Sequence, residues 1–333
     1  MPGSNGRVTR LGESLLVNAD CVQGALEHLA DGCVDLIVTD PPYGIEGDKL
    51  HRHYNRRERF VVGKYVEVPA RDYPRFTRAW ITQAQRVLRP GGQLYVVSGY
   101  TNLYDVLAAL RETSLYELNH IIWKYNFGVY TTRKYVSSHY HILYWAKPGP
   151  RRTFNLEARH ALDESGAGGS ANYRDREDVW IINREYKPGR AKNKNELPAA
   201  LLRKVIAYSS NPGDLVCDFF LGGGSAAAVA IAMSRRFVGF EISSQTFTGS
   251  LGRLKAVVPG SLCEPPRRSR TPAKRGKAWN SAEESLLMKR FQGMREAGIP
   301  QGAIVTTLTN EFERGAWAIR KRLIALRDGA GSV

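Results

Sequence analysis

The chain has 333 residues, 43% hydrophobic and 24% charged, enough apolar side chain for one large folded domain and a smaller one. Its formal charge is +16, of which +7 comes from residues 259–333 (14 Lys/Arg against 7 Asp/Glu) and +9 from the rest, so both parts suit a polyanionic partner. The absence of an apolar run near 18 residues and of a charged-then-apolar leader argues against a membrane span or secretion. Cys21, Cys33, Cys217 and Cys263 lack paired metal-ligand spacing and read as reduced thiols holding no metal.

Along the chain, residues 14–46 give a strand, a helix and a second strand. The apolar run Val34-Asp35-Leu36-Ile37-Val38-Thr39 reads as that buried second strand, and it ends on Asp40-Pro41-Pro42-Tyr43. The prolines fix φ and lack an N–H, so the Pro41 carbonyl is a free acceptor beside the Asp40 carboxylate. With the Tyr43 ring as a stacking face, two such acceptors suit an exocyclic amino group of adenine or cytosine. Residues 47–72 form a basic stretch without clear periodicity, carrying Arg52, Arg56 and Arg57. It is expected to be a flap that touches phosphate; the plainer alternative is a solvated basic loop.

A helix is predicted over 74–89, with Phe76, Trp80, Ile81, Ala84 and Leu88 on one face and Pro90-Gly91-Gly92 stopping it. A strand over 94–98 and a helix over 102–111 follow. Strands at 120–123 and 140–145 flank an aromatic loop with Tyr125, Phe127 and Tyr130, residues that either stack on a base or fill core. Residues 148–195 are polar, with one strand-like patch at 179–182. After a helix at 197–210, the strand Leu215-Val216-Cys217 runs into Asp218-Phe219-Phe220-Leu221-Gly222-Gly223-Gly224-Ser225. A small-residue helix follows, then the strand Phe237–Phe240, closed by Glu241. Glycines at a strand-to-helix turn admit close backbone approach to a ligand, and an acid ending the next strand can hold ribose hydroxyls. This half alone fits any adenosine-bearing cofactor, NAD included; the lack of Gly-Lys-[Ser/Thr] argues against a P-loop.

The tail differs. Residues 259–278 read as a basic disordered linker. Ser281-x-x-Glu284 reads as a capping box opening a helix with the stripe Leu287, Phe291 and Met294. A second helix, from Gln301 to about Glu311, presents Ile304, Val305 and Leu308. A third, from near Gly315, turns Trp317, Ile319, Leu323 and Leu326 inward, with Arg320, Lys321 and Arg322 elsewhere.

The pair Asp40-Pro41-Pro42-Tyr43 and Phe220-x-Gly222-x-Gly224 resembles the amino-methylating DNA methyltransferases dependent on S-adenosylmethionine, in the beta order with the catalytic motif first. The resemblance spans roughly 14–258 and includes Asn18-Ala19-Asp20-Cys21, Val87–Leu94, Lys194–Pro198 and Asn211–Asp214. Ser225 stands where Thr is commoner, which keeps the hydroxyl. The resemblance implies an α/β, Rossmann-like doubly wound sheet, circularly permuted, with the site at the strands' carboxyl ends. It assigns Asp40, Pro41, Pro42 and Tyr43 to catalysis. Asp20, Asp218, Phe220, Gly222, Gly224, Ser225 and Glu241 go to S-adenosyl-L-methionine, and 148–195 to target recognition.

The implied partner is double-stranded DNA and the implied setting cytoplasmic, bacterial or phage-type and nucleoid-associated, with room for a homodimer and a separate restriction nuclease. The leading Asp resembles adenine-N6 enzymes more than cytosine-N4 ones, where Ser often stands. An RNA amino-methyltransferase, a nicotinamide-dependent dehydrogenase and a non-catalytic DNA-binding protein are the rival readings. Residues 279–328 are similar to Myb-like helix-turn-helix modules. There Arg320, Lys321 and Arg322 would join Arg52, Arg56 and Arg57 in contacting DNA; the alternative is a small oligomerisation or capping bundle.

Overall fold

The computed structural model describes residues 7–42, 68–126, 128, 131–156, 158, 176–184, 196–263, 274, 276–299 and 301–329. The chain divides into two compact units, 1–263 and 264–333.

The first unit is built on nine strands: β1 (Arg7–Leu11), β2 (Ser14–Asn18), β3 (Val34–Thr39), β4 (Leu88–Ser98), β5 (Tyr116–Lys124), β6 (His139–Ala146), β7 (Val179–Ile181), β8 (Leu215–Asp218) and β9 (Arg236–Phe240). They form one sheet in the order β1-β2-β9-β8-β3-β4-β6-β5-β7. The block β2, β9, β8, β3 and β4 is parallel. β6 runs antiparallel to both β4 and β5.

Helices α1 (Cys21–His28), α2 (Tyr73–Val87) and α3 (Leu103–Arg111) cover one face of the sheet, and α4 (Ala199–Ser209), α5 (Ser225–Ala232) and α6 (Ser244–Leu254) the other. Alternation along the strands assigns the layers. Leu36, Val38, Tyr95 and Val97 point to the α4–α6 side, while Ile37, Leu94 and Val96 point to the α1–α3 side. Both faces are covered, so the central strands are mostly apolar on both sides rather than alternating.

From β3 the chain crosses over to β4 on one side; from β8 it crosses to β9 on the other. β3 and β8 are themselves neighbours, paired through Leu36↔Val216 and Ile37↔Cys217. Such a reversal opens a crevice beyond the carboxyl ends of the two strands.

Several elements depart from expectation. The sheet begins at Arg7, because β1 adds antiparallel to β2 ahead of residue 14. Pro90-Gly91-Gly92 does not stop α2, which ends at Val87; it lies inside β4, where the register with β3 shifts and Gly91 adopts φ +77°. Lys147 explains the sharp end: its Nζ donates to the carbonyls of Gln85 (2.8 Å) and Leu88 (2.7 Å). Tyr125 fills core, its ring against Trp123 and Tyr140; Phe127 and Tyr130 lie outside the described residues. Parts of 148–195 belong to the scaffold: Gln93 Nε2 donates to the Thr153 carbonyl at 2.9 Å, and β7 adds to β5.

The second unit consists, among the described residues, of α7 (Ser281–Glu296), α8 (Gln301–Glu311) and α9 (Ala316–Gly329) around Leu287, Ile304, Leu308, Phe312, Ile319 and Leu323. The N-cap of α7 is Asn280, one residue before the expected Ser281. Its side chain accepts from the Glu283 N–H at 2.8 Å, while Glu284 turns to Arg322. Trp317, expected inward, is 72% exposed. The expected linker is structured at both ends: the Leu262 N–H bonds the Ala232 carbonyl at 2.7 Å, and Lys274 pairs with Glu283. Residues 264–273 lie outside the described residues.

Candidate active site

Two strand ends meet in the crevice. Thr39, the last residue of β3 and fully buried, donates from Oγ1 to Asp218 Oδ1 at 2.8 Å. The same oxygen accepts the Phe220 N–H at 2.9 Å. One carboxylate therefore ties the residue before Asp40 to the turn after β8. Asp40 and Pro42 are half-buried and Pro41 is buried. Tyr43, Arg52, Arg56 and Arg57 lie outside the described residues.

The turn after β8 needs its glycines. Gly222 and Gly224 take φ +50° and +77°, conformations that cost any residue with a Cβ. Gly224 caps α5, and Ser225 is the helix's first residue. The Leu221 N–H bonds the Phe240 carbonyl at 2.8 Å, fastening the turn to the end of β9.

Glu241 closes β9. One of its oxygens accepts the Gly222 N–H at 3.0 Å and the other the Ser243 N–H at 2.8 Å. A carboxylate has about four acceptor positions, so it retains capacity for a ligand's hydroxyls. The β2 end joins here too. Asn18 Nδ2 donates to the Glu241 carbonyl at 2.6 Å, and exposed Asp20, two residues on, caps α1 through the N–H groups of Val22 and Gln23.

The electrostatics set this place apart. Burial pushes the Asp218 carboxyl up to about 6; the Phe220 N–H and Thr39 hydroxyl offset part of that, and Glu241 adds to it. Burial raises Glu241 as well, against the N–H groups of Ser243 and Gly222. Among the described residues no cation offsets either shift. Two acids held above their ordinary range favour a ligand that brings hydroxyls or positive charge.

An aromatic wall joins the two motifs. Tyr73, the first residue of α2, is raised to about 12, chiefly by burial; its bond with Asn102 opposes the rise and the charge of Asp40 adds to it, so Asp40 lies within electrostatic reach. The Tyr73 ring is 5.9 Å from Phe76, which is 5.8 Å from Phe220, whose ring meets Trp80 edge-on at 5.5 Å. Tyr73 was not anticipated, although it extends the Phe76–Trp80 stripe by one step of i−3. Thr39 carried no signal beyond being the last residue of a strand.

Arg253 was missed as well. From α6 its Nη1 reaches Glu196 Oε1 (2.8 Å), the Gly223 carbonyl and Ser225 Oγ (both 3.3 Å). Among the described residues no cluster of His, Cys, Asp and Glu is arranged to hold a metal ion, and no helix is long and apolar enough to cross a membrane.

A glycine turn held by Glu241 and the Asp40-Pro41-Pro42 segment thus come together at the switch point of the sheet, joined through Thr39 and Asp218. Residues 34–250 match the model of the DNA methylase family that covers N6- and N4-methyltransferases, and the chain belongs to that family. It is 29% identical over 278 residues to the type II methyltransferase M.HpaI of Haemophilus parainfluenzae, covering 80% of each chain. Its fold is similar to that of the putative DNA modification methylase TTHA0409 of Thermus thermophilus complexed with S-adenosyl-L-methionine. That match has a TM-score of 0.51 and 22% identity, over 73% of this chain and 95% of the other. It is similar also to the cytosine-N4-specific PvuII DNA methyltransferase, with a TM-score of 0.53 and 15% identity, over 73% and 86%.

Proposed function

We propose that the chain moves a methyl group from S-adenosylmethionine to the N6 amino group of an adenine swung out of double-stranded DNA. The observation that carries this is the buried Thr39–Asp218 hydrogen bond, which ties the residue before Asp40 to the strand end that opens the glycine turn. The bound cofactor would supply an activated methyl on a sulfonium.

An aromatic amino nitrogen is a poor nucleophile because its lone pair is delocalised into the ring. In this reading the Asp40 carboxylate and the Pro41 carbonyl accept the two amino protons, drawing the nitrogen toward tetrahedral geometry and localising the pair. Pro42 stiffens the platform and Tyr43 holds the base plane. Asp40 need not be a strong base beforehand, since the proton becomes acidic only as the nitrogen gains a fourth bond. Positioning the reactants contributes up to about 7–11 kcal/mol, and placed acceptors stabilise the charge developing on nitrogen. Taking the base out of the duplex costs a few kcal/mol, offset by stacking and pocket hydrogen bonds.

Phe220, Gly222, Gly224 and Ser225 would shape the turn under the methionine part, with Asp218 anchoring it and facing the ligand's amino group. Glu241 would accept from the ribose hydroxyls, and Asp20 would lie toward the adenine end. Arg52, Arg56 and Arg57 would take phosphates ahead of α2. The covalent route to carbon-5 of cytosine has no nucleophile, since the sequence lacks a Pro-Cys pair and burial raises the Cys21 and Cys217 thiols.

The test is nucleoside mass spectrometry of unmethylated duplex DNA incubated with the protein and S-adenosylmethionine. N6-methyldeoxyadenosine is expected. N4-methyldeoxycytidine would change the base within the same chemistry, and methylation of RNA alone would overturn the substrate.

A further inference from the structure

We infer that the exposed face of α9 docks on duplex DNA through Trp317, Arg320, Lys321 and Ile324. These residues stand at i, i+3, i+4 and i+7, one stripe of a helix. All four are exposed, Trp317 to 72% and Ile324 to 53%. The opposite face carries the packing, with Ile319 and Leu323 buried and Leu326 against them. The large aromatic is thus displayed rather than packed, and Lys321 Nζ lies 4.9 Å from its ring centroid, so apolar face and cation are presented together.

Charge identifies the occupant. Other cations of this unit are matched internally: Lys274 and Arg314 by Glu283, Arg290 by Glu311, and Arg322 by Glu284. Arg322, expected among the DNA contacts, is thereby a strut between α9 and α7. Among the described residues neither Arg320 nor Lys321 meets a carboxylate, and residues 316–327 contain no acid. A stripe of cations beside apolar side chains complements phosphates beside sugar and base edges. A second copy would present the same positive stripe and repel it. The inference draws on the proposed function only for the identity of the polyanion.

The test uses the full chain and a 30-bp duplex, with fluorescence anisotropy recorded across a salt series in the absence of S-adenosylmethionine. The variant Arg320→Gln/Lys321→Gln is expected to lower the slope of log K against log salt by about 1.8, at about 0.9 per phosphate contact. Trp317→Ala is expected to weaken binding roughly tenfold at unchanged slope, the size of one good aromatic contact. Both should keep the wild-type circular-dichroism melt, because all three side chains are exposed. Unchanged slope and affinity in both variants would overturn the inference. So would loss of a dimer in sedimentation with DNA affinity intact, which would give the face to a second copy. Methylation by the same variants at saturating DNA is a separate readout. Its absence in wild type alongside an altered slope would sink the enzyme reading and leave this surface standing.

Discussion

Asp218 in the first unit and Glu283 in the second are both carboxylates held by two protein donors, yet their surroundings push them in opposite directions. The donors of Asp218 are neutral, a threonine hydroxyl and a backbone N–H, and burial lifts the group to about 6. Those of Glu283 are charged: Lys274 first, then Arg314, hold it down to about 2. The second arrangement is complete in itself and ties the start of α7 to the residues on either side of it. The first has only neutral donors and, among the described residues, no cation to offset its burial. A pair of buried acids with no cation beside them among the described residues is a candidate site, whereas an acid with two cations marks a joint.

The sharpest break between site and scaffold lies at Asp40. Asp40→Ala should lower methyl transfer by at least about 10²–10³-fold, the loss expected on removing a placed acceptor, with cofactor affinity by calorimetry unchanged. Retained turnover would remove Asp40 from the chemistry.

Asp218→Asn comes next. It keeps the shape but loses the charge, so S-adenosylmethionine should bind about 10–100-fold more weakly, in line with ~1.5–3 kcal/mol for a charged hydrogen bond. The pH dependence follows from the sign of the shift. The folded-state value, about 6, exceeds the ordinary 3.8. The group's contribution to stability of the ligand-free protein is therefore fully present below pH 3.8 and lost as pH rises through about 6. A cationic ligand favours the ionised form, so wild-type affinity should climb as pH rises through that value and the Asn variant's should stay flat. A flat wild-type profile would detach Asp218 from the ligand.

Glu283→Gln tests the opposite case. Here the folded value lies below the ordinary 4.5, so stability is present above pH 4.5 and lost as pH falls toward about 2. Arg314, 3% exposed, would lose its carboxylate partner. The second unit should melt several degrees lower at neutral pH and lose its acid sensitivity, with cofactor binding to the first unit untouched. A wild-type melt at pH 7 would mean that this pairing adds nothing net.

The same contrast explains what could be read from the chain alone. Asp40 to Pro42 and Gly222 to Ser225 were legible because each is a short run in which covalent restriction does the work: fixed φ at proline, positive φ at glycine. Strands β3, β8 and β9 were legible as short, mostly apolar runs. Thr39, Tyr73 and Arg253 were not, because their roles come from partners 28–179 residues away in sequence that only the fold brings together. Pro90-Gly91-Gly92 misled for a related reason. Its punctuation suits a turn, but pairing of Gly91 and Gly92 with Lys147 holds it within a strand. Trp317 misled because helical spacing placed it beside the core stripe without deciding which edge of that stripe it occupied.

The smallest effect concerns the outer side of the glycine turn. The inner side is fixed by the buried Asp218; the outer by Arg253, whose side chain is 37% exposed and shares one guanidinium nitrogen among Glu196, Gly223 and Ser225. A pair so open to solvent contributes at most about 1 kcal/mol. Arg253→Met should therefore raise the KM for S-adenosylmethionine by no more than about fivefold, with kcat at saturation unchanged. Glu196→Gln should do the same or less, and the double variant should be no worse than Arg253→Met alone, since both substitutions remove one contact. A fall in kcat at constant KM would place Arg253 against the reacting groups rather than behind the turn. It would also show that the crevice is completed from α6 as well as from the two strand ends.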